Sequence, residues 1–522
     1  MFSRFHRPPI FLLGITLLLV ACTSSTASPD PNEGLAPATL QDTQASPEAA
    51  ETNVAPYSDT EAREKMYQLL VFEAAAVSSA EELIQEIAAS GDMRFIPVFI
   101  ELLRGAQVGI VSGAQYPLLI TALETLSGES FDQDWPSWVE WYGRSDLKAP
   151  PGFTGWKGQL LGRIDPGFAD FLRDDFESTI RVEEVQWGGV RVDGIPALDQ
   201  APVVSAIEAN YLQPEEPVFG IAINGQARAY PLRIMDWHEM ANDMVGGVPI
   251  SLAYCTLCGA GIAFDGRASN GETYDFGSSG FLFRSNKLMY DRQTRTLWNQ
   301  LTGEPVLGPL AGKDLQLELQ PVVLTSWQAW QSQHPATTVL DIDTGFNRFY
   351  ELGAAYGDYF ASPDTMFPVP DRNENLEDKT RIYALRIDGQ PKAYPLDLLA
   401  EEQVVNDTLG GVDIVLIASR GTVEVQGAKI TDFFSATSGT CETQDVTYNA
   451  GGEVRVYQRG SATFQVGSAP NTLVDAAGMA WQVTEEALIG PDGQRLPRVN
   501  GHLAYWFGWF SFFPHTALYG QR

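Results

Sequence analysis

Cysteine is scarce in this chain: four in 522 residues, against 12 tryptophans and 27 phenylalanines. Disulfide-stapled scaffolds are short and cysteine-dense, so bridges are excluded as the main source of stability. Basic residues are scarce too, 34 Lys and Arg against 66 Asp and Glu, for a formal net charge of −32. That balance repels phosphate backbones and anionic lipid heads, and no basic stripe offsets it, so nucleic acid is not an expected partner. Histidine occurs five times, never in an H-E-x-x-H pattern. The phosphate-cradling G-x-x-x-x-G-K-[ST] and the nucleophile elbow G-x-S-x-G are missing, and no carboxylate pair stands out for glycoside chemistry. Long apolar runs are absent, with one exception at the start.

That exception is Ile10 to Val20, preceded by Arg4 and Arg7 and ending in "LVAC" at Leu19 to Cys22. A bilayer-spanning helix needs about 20 apolar residues, so this run reads as the core of an export signal over residues 1–21. The last four residues resemble a bacterial lipobox, which makes Cys22 the expected lipidation site and the membrane an expected partner through that anchor. Thr23 follows where inner-membrane lipoproteins often carry Asp, so the expectation is an outer-membrane lipoprotein facing the periplasm or the cell surface. Residues 22–57 are rich in Ser, Thr, Pro, Ala and acids, without aliphatic periodicity, and read as a disordered acidic tether.

Over 58–150, "AEELIQEIAASGDMRFIPVFIELLRG" and "AQYPLLITALETLSGE" repeat apolar residues at three- and four-residue spacing, with Gly stops. These short helices resemble HEAT-type repeats. Trp135, Trp138 and Trp141 fall on one helical face and read as core. After "LKAPPGFTGWKG" the chain is expected to turn β-rich. There an internal repeat emerges: "IAINGQARAYPLRIMDWHEMANDMVGGVPISLA" aligns without gaps on "LRIDGQPKAYPLDLLAEEQVVNDTLGGVDIVLI". Asn224-Gly225 and Asp388-Gly389 predict hairpins, Pro231 and Pro395 predict helix starts, and Asn-Asp followed by Gly-Gly predicts each helix's end and a buried strand. The expected fold class is α+β: a small helical domain, then a duplicated, mostly antiparallel module. The first copy is expected at 151–370 and a degenerate second at 371–522.

Comparing the copies separates scaffold from candidate function. Cys255 faces Ser419, Cys258 faces Thr422, His238 faces Glu402 and Asp236 faces Ala400, so a thiol–imidazole set occurs in the first copy alone. The stretches "RAYPLRIMDWHEMANDMVGGVPISLAYCTLCG", "SSGFLFRSNKLMYDRQTRTLWNQ" and "SWQAWQSQHP" resemble the bacterial and archaeal domain-of-unknown-function family numbered 3179. That resemblance implies no reaction. It implies that Cys255 is the more dependable cysteine, since Thr can stand in place of Cys258.

Three readings of Cys-x-x-Cys-Gly stay open. Cys255, Cys258 and His238 are candidate ligands for copper or zinc, with Cys441 a distant fourth. Alternatively Cys255 is a reactive thiol whose pKa a neighbouring cation, Arg228 or His238, would lower. Thirdly, Cys255 and Cys258 form a structural disulfide in a non-catalytic binding or scaffold lipoprotein. A thioredoxin-like motif would open a helix, and "GAGIAFDG" does not read as one. In "FGSSGFLFRSNKLMYDRQTRTLWNQ", Ser285, Asn286, Asp291 and Arg292 are candidate ligand-binding residues beside Arg228. The competing reading is a hairpin with its tip at Asp291 to Thr294 and Tyr290 and Trp298 in the core. Protein partners are not legible.

Replacing Cys22 with Ser is expected to release the mature chain from membranes in soluble form. Membrane fractionation after a salt wash checks this, and a protein that still pellets with membranes contradicts it.

Overall fold

The computed structural model describes residues 56–71, 77–430 and 443–521. The expected signal, Cys22, nearly all of the tether and Cys441 lie outside the described residues. No helix among the described residues is long and apolar enough to cross a membrane.

Residues 59–171 are helical: α1 (Asp59–Val71), α2 (Val77–Ser90), α3 (Ile96–Gln107), α4 (Tyr116–Ser127), α5 (Trp135–Gly143), α6 (Phe153–Leu161) and α7 (Gly167–Phe171). Proline near the start of α3, α4 and α5 occupies a turn whose N–H needs no intrahelical partner. Trp135 and Trp138 are buried, and Phe131 meets Trp138 edge-on. The expected switch to β structure at about residue 150 is displaced. The run "APPG" joins two helices instead, with Gly152 at φ 84° just ahead of α6. On α6, fully buried Lys157 donates to Glu101 at 2.7 Å, to the Val182 carbonyl at 3.1 Å and to the Val185 carbonyl. One ammonium thus bonds the partly buried Glu101 carboxylate and two carbonyls, and ties the helices to the short strand Val185–Trp187.

Beyond Val185 the chain is β-rich. β1 (Pro217–Ile223) and β2 (Gln226–Pro231) form the hairpin predicted at Asn224-Gly225. Helix α8 (Leu232–His238) ends at Glu239, which takes a left-handed φ of 54°. β3 (Met240–Val245) and β4 (Val248–Cys255) turn at Gly246-Gly247, and β5 (Ala260–Ala268) returns along β4. Asn242-Asp243 therefore lies within β3 and does not end the helix as expected. Its side chains account for the difference: Asp243 pairs with Arg228 and accepts from the Tyr230 hydroxyl, while Asn242 bonds both backbone groups of Phe276. β6 (Phe276–Phe283) and β7 (Asn286–Asp291) belong to a second sheet and are buried along their whole length. β6 reads as the unbroken apolar and small run of a strand covered on both faces, whereas β7 carries Asn286, Lys287 and Asp291 into the interior.

A second series follows: β8 (Arg381–Ile387), β9 (Gln390–Pro395), α9 (Leu396–Glu402), β10 (Val404–Leu409) and β11 (Val412–Ala418). Its order and pairing match the first, Ile387 facing Gln390 as Ile223 faces Gln226, and Leu409 facing Val412 as Val245 faces Val248. β12 (His502–Tyr505) pairs with β8 as Val323–Ser326 pairs with β1. One apolar core runs from Ala62 on α1 through Tyr254 on β4 to Trp509 near the C-terminus.

Lys157→Met removes the cation from Glu101 and from the Val182 and Val185 carbonyls, so unfolding free energy is expected to drop by about 3 kcal/mol. Urea denaturation of the two proteins measures it; an unshifted midpoint would mean the clamp contributes nothing.

Candidate thiol site

β4 carries Cys255, the turn Thr256–Gly259 follows, and Cys255 pairs across it with Ala260 at the start of β5. The Cys-x-x-Cys thus closes a hairpin and opens no helix. Both cysteines are free thiols, Cys255 2% exposed and Cys258 0%. Facing them is the turn between β6 and β7, where Arg284 and Ser285 both adopt positive φ, 49° and 61°. Such a turn normally carries Asn-Gly, as at Asn224-Gly225, because a side chain is strained there. The strained turn aims the Ser285 carbonyl at the sulfurs: the Cys258 thiol donates to it at 3.2 Å and Cys255 lies 3.9 Å away. The Asn286 amide donates to Cys258 Sγ at 3.6 Å and to Gln300 Oε1 at 2.8 Å. Gln300 in turn donates to the carbonyls of Ala253 and Ala260, pinning the root of the Cys turn.

The two sulfurs are not equivalent. Burial pushes the Cys255 thiol up, but hydrogen bonds from the Cys258 side chain and the Lys287 backbone N–H outweigh it, leaving Cys255 below the ordinary thiol value. Burial, then its role as donor to Cys255 and the charge there, push Cys258 well above it. The first proton to leave the pair comes from Cys255, and Cys258 holds the second.

Several expected site residues lie elsewhere. His238 Nδ1 engages the Pro196 carbonyl at 2.8 Å, and Nε2 the Tyr350 hydroxyl at 2.6 Å, so neither nitrogen serves the sulfurs. At 3.6 residues per turn, positions 236 and 238 point roughly 200° apart, so His238 is buried against Pro196 and Tyr350 while Asp236 lies toward Glu239 and Arg381. The proposed Cys255–Cys258–His238 metal set therefore does not converge. Among the described residues no group of three or more His, Cys, Asp or Glu is arranged to hold a metal ion. Arg228 pairs with Asp243 and donates to Thr338, away from the thiols, as Lys392 pairs with Asp407 in the second series. Asp291 accepts from Thr294 and from Trp298 Nε1 at 2.8 Å; its analogue Asp475 accepts from Trp481 at 2.9 Å, which marks both as scaffold. Arg292 pairs with Asp199 near the surface. Of the candidate ligand-binding set, Ser285 and Asn286 stand at the sulfurs, and Arg228, Asp291 and Arg292 do not.

Residues 192–516 match the family model described as Protein of unknown function (DUF3179). The chain belongs to that family. No curated protein and no solved structure matches it. The DUF3179 match begins ahead of β1 and ends beyond β12, so it covers both series of elements and the Cys turn.

Within the DUF3179 region the structure adds Glu239 and Lys287, which sequence reasoning passed over, and shows what surrounds Asp236, Ser285 and Asn286. Glu239, buried at the left-handed end of α8, accepts from Thr256 at 3.0 Å, Tyr356 at 2.9 Å and the buried Lys287 ammonium at 3.2 Å. Asp236 is buried with neither carboxylate oxygen hydrogen-bonded; burial, then Glu239, push it well above the carboxylate range, with Arg381 acting against them. Ser285 Oγ and Asn286 Oδ1 are likewise buried without a partner. The alignment of the two stretches did carry a signal: Asp236 and Glu239 face Ala400 and Gln403, so both carboxyls occur in the first series alone.

His238 is held near 4 by burial, against an ordinary 6.5, although its bond to Pro196 works in the opposite direction. Between about pH 6.5 and 4 the unfolded chain takes up this proton and the folded one does not, so stability falls as pH drops through that window. His502, also pushed to about 4 by burial, adds to the same slope. His238→Gln is expected to flatten the decline of the denaturation midpoint over that range; parallel profiles for the two proteins would refute the assignment.

Proposed function

We propose that Cys255 and Cys258 form a buried dithiol centre working by thiol–disulfide chemistry, in an exported protein anchored through Cys22. The observation that carries this is the convergence of two unbridged, buried thiols on the single Ser285 carbonyl. In this reading Cys255 is the attacking sulfur and Cys258 the one that resolves the mixed disulfide. Gln300 and Asn286 hold the turn, and the Glu239–Lys287 pair supplies fixed charge beside it. The two series of strands are copies of one module, supported by their matching order and registers. The second has Ser419 and Thr422 where the sulfurs stand and serves as scaffold: Tyr505 N–H donates to the Cys258 carbonyl at 2.7 Å.

Full burial favours a rival reading, a binding or scaffold lipoprotein in which these thiols are inert packing groups. Redox titration of the mature protein with mass mapping of the cysteines separates the two. A reversible Cys255–Cys258 bridge is expected in the folded chain and is abolished in Cys255→Ser. Cys258→Ala, which removes the donor, should slow alkylation of Cys255 at neutral pH. Thiols that stay reduced throughout, and react only after denaturation, would leave the scaffold reading standing.

A further inference from the structure

The geometry points to a cleft over the Cys255–Gly259 turn that recognises a small anionic disulfide, the oxidant or product of the dithiol centre. This rests on the thiol–disulfide reading above. The cleft measures about 590 Å³, and Phe360, Lys379, Arg381, Asn449 and Tyr505 are among its lining residues. That volume is in the range of small-molecule sites.

Four contacts attach the cleft to the turn. Arg381 Nη1 lies 2.9 Å from where a side chain at Gly259 would begin, and the Tyr505 ring 3.0 Å. Tyr505 N–H donates to the Cys258 carbonyl. The Tyr359 hydroxyl donates to the Leu257 carbonyl at 2.6 Å, and Lys379 Nζ sits 3.7 Å over the Tyr359 ring. Arg381 and Tyr505 are thus the layer between cleft and turn, and the missing side chain at Gly259 lets them approach. Behind them lies Asp236, unpartnered and within electrostatic reach of both.

The cleft's charge selects the ligand. In a chain of net charge −32, Lys379 and Arg381 make their hydrogen bonds to neutral oxygens. Lys379 donates to the carbonyls of Tyr359 and Ser362, and Arg381 to the Asn449 carbonyl and the Tyr505 hydroxyl. Burial and Arg381 push Lys379 down to about 8, with Asp364 acting against them, so two cations crowd together here. Of the acids lining the cleft, Asp378 is paired with Arg372, and Glu377 and Asp397 are exposed to water. A bound carboxylate would neutralise the inner pair. Size follows from the cleft: about 590 Å³ admits a small disulfide, and the exchange requires the Arg381–Tyr505 layer to open toward Cys255.

The exchange balances without a further reagent. The Cys255 thiolate attacks one sulfur of the disulfide RSSR, forming Cys255–S–S–R and releasing RS⁻. Cys258, giving up its proton, then attacks the Cys255 sulfur, closes the Cys255–Cys258 bond and releases the second RS⁻. The two protein thiol protons end on the two released thiolates, so two protein thiols are oxidised as one disulfide is reduced to two thiols.

The test compares glutathione disulfide, which is anionic, with neutral hydroxyethyl disulfide, each in excess over the reduced mature protein. Closure of Cys255–Cys258 is followed by mass mapping. In Lys379→Gln and Arg381→Gln the ratio of the two rate constants, anionic over neutral, is expected to fall about tenfold, the loss of one charge-assisted contact. Lys379→Arg should restore it, which separates recognition from a folding defect. An unchanged ratio in both Gln variants would overturn the anion site while leaving the dithiol reading intact. Failure of the wild-type protein to close with either reagent would overturn both.

Discussion

Two thiols, a lysine and two carboxyl groups are buried together where β4, α8 and β7 meet, and removing such groups from water is costly unless each finds a partner. The local structure can be understood as the answer to that cost. Glu239 takes a left-handed conformation at the end of α8 and so reaches Lys287, Thr256 and Tyr356 at once. Ser285 takes a strained conformation and so presents its carbonyl to both sulfurs. Gln300 bridges the strands on either side of the Cys turn. What the arrangement leaves unsatisfied is confined to a few atoms, notably Asp236, Ser285 Oγ and Asn286 Oδ1. Buried groups left without a partner are where a bound species or a transferred proton has something to act on.

The second series of strands helps to bury this centre. Its β12 supplies the N–H that holds the Cys258 carbonyl, and Gly508, just beyond, has no side chain because Cys258 Sγ stands 3.2 Å from where one would begin. Arg381 opens β8 and stacks on Tyr505 at 4.6 Å. A further tie is a buried charge network: Glu485 accepts from Arg455 and Arg498, while Glu453 accepts from Thr325 of the first series. Buried ion clusters of this kind add little net stability but resist rearrangement, since breaking one partner strands the others. The helical region is fastened in the same manner, through Lys157.

Legibility differed by class of residue. The hairpins at Asn224-Gly225 and Asp388-Gly389 were legible because a two-residue turn demands positive φ and few residues tolerate it. Asn242-Asp243 was misplaced because the same polar, flexible residues that end helices also pair across strands, and only the partners decide which. Comparing the two aligned stretches marked Cys255, Cys258 and Asp236 as unshared. It also put forward His238, which is equally unshared yet faces Tyr350. Arg228 and Asp291, put forward as ligand-binding residues, have counterparts in Lys392 and Asp475 whose pairing only the structure shows, and that pairing makes them framework.

By itself, then, the sequence determined the order of elements, the α+β class and the stretch that carries the thiols, because turn chemistry and hydrophobic period act over a few residues. Only the tertiary structure decided the company those thiols keep. Ser285, Lys287, Gln300, Tyr356, Arg381 and Tyr505 come from segments 27 to 247 residues distant along the chain. Their meeting depends on sheet register and on the packing of one series against the other, neither of which a local pattern encodes.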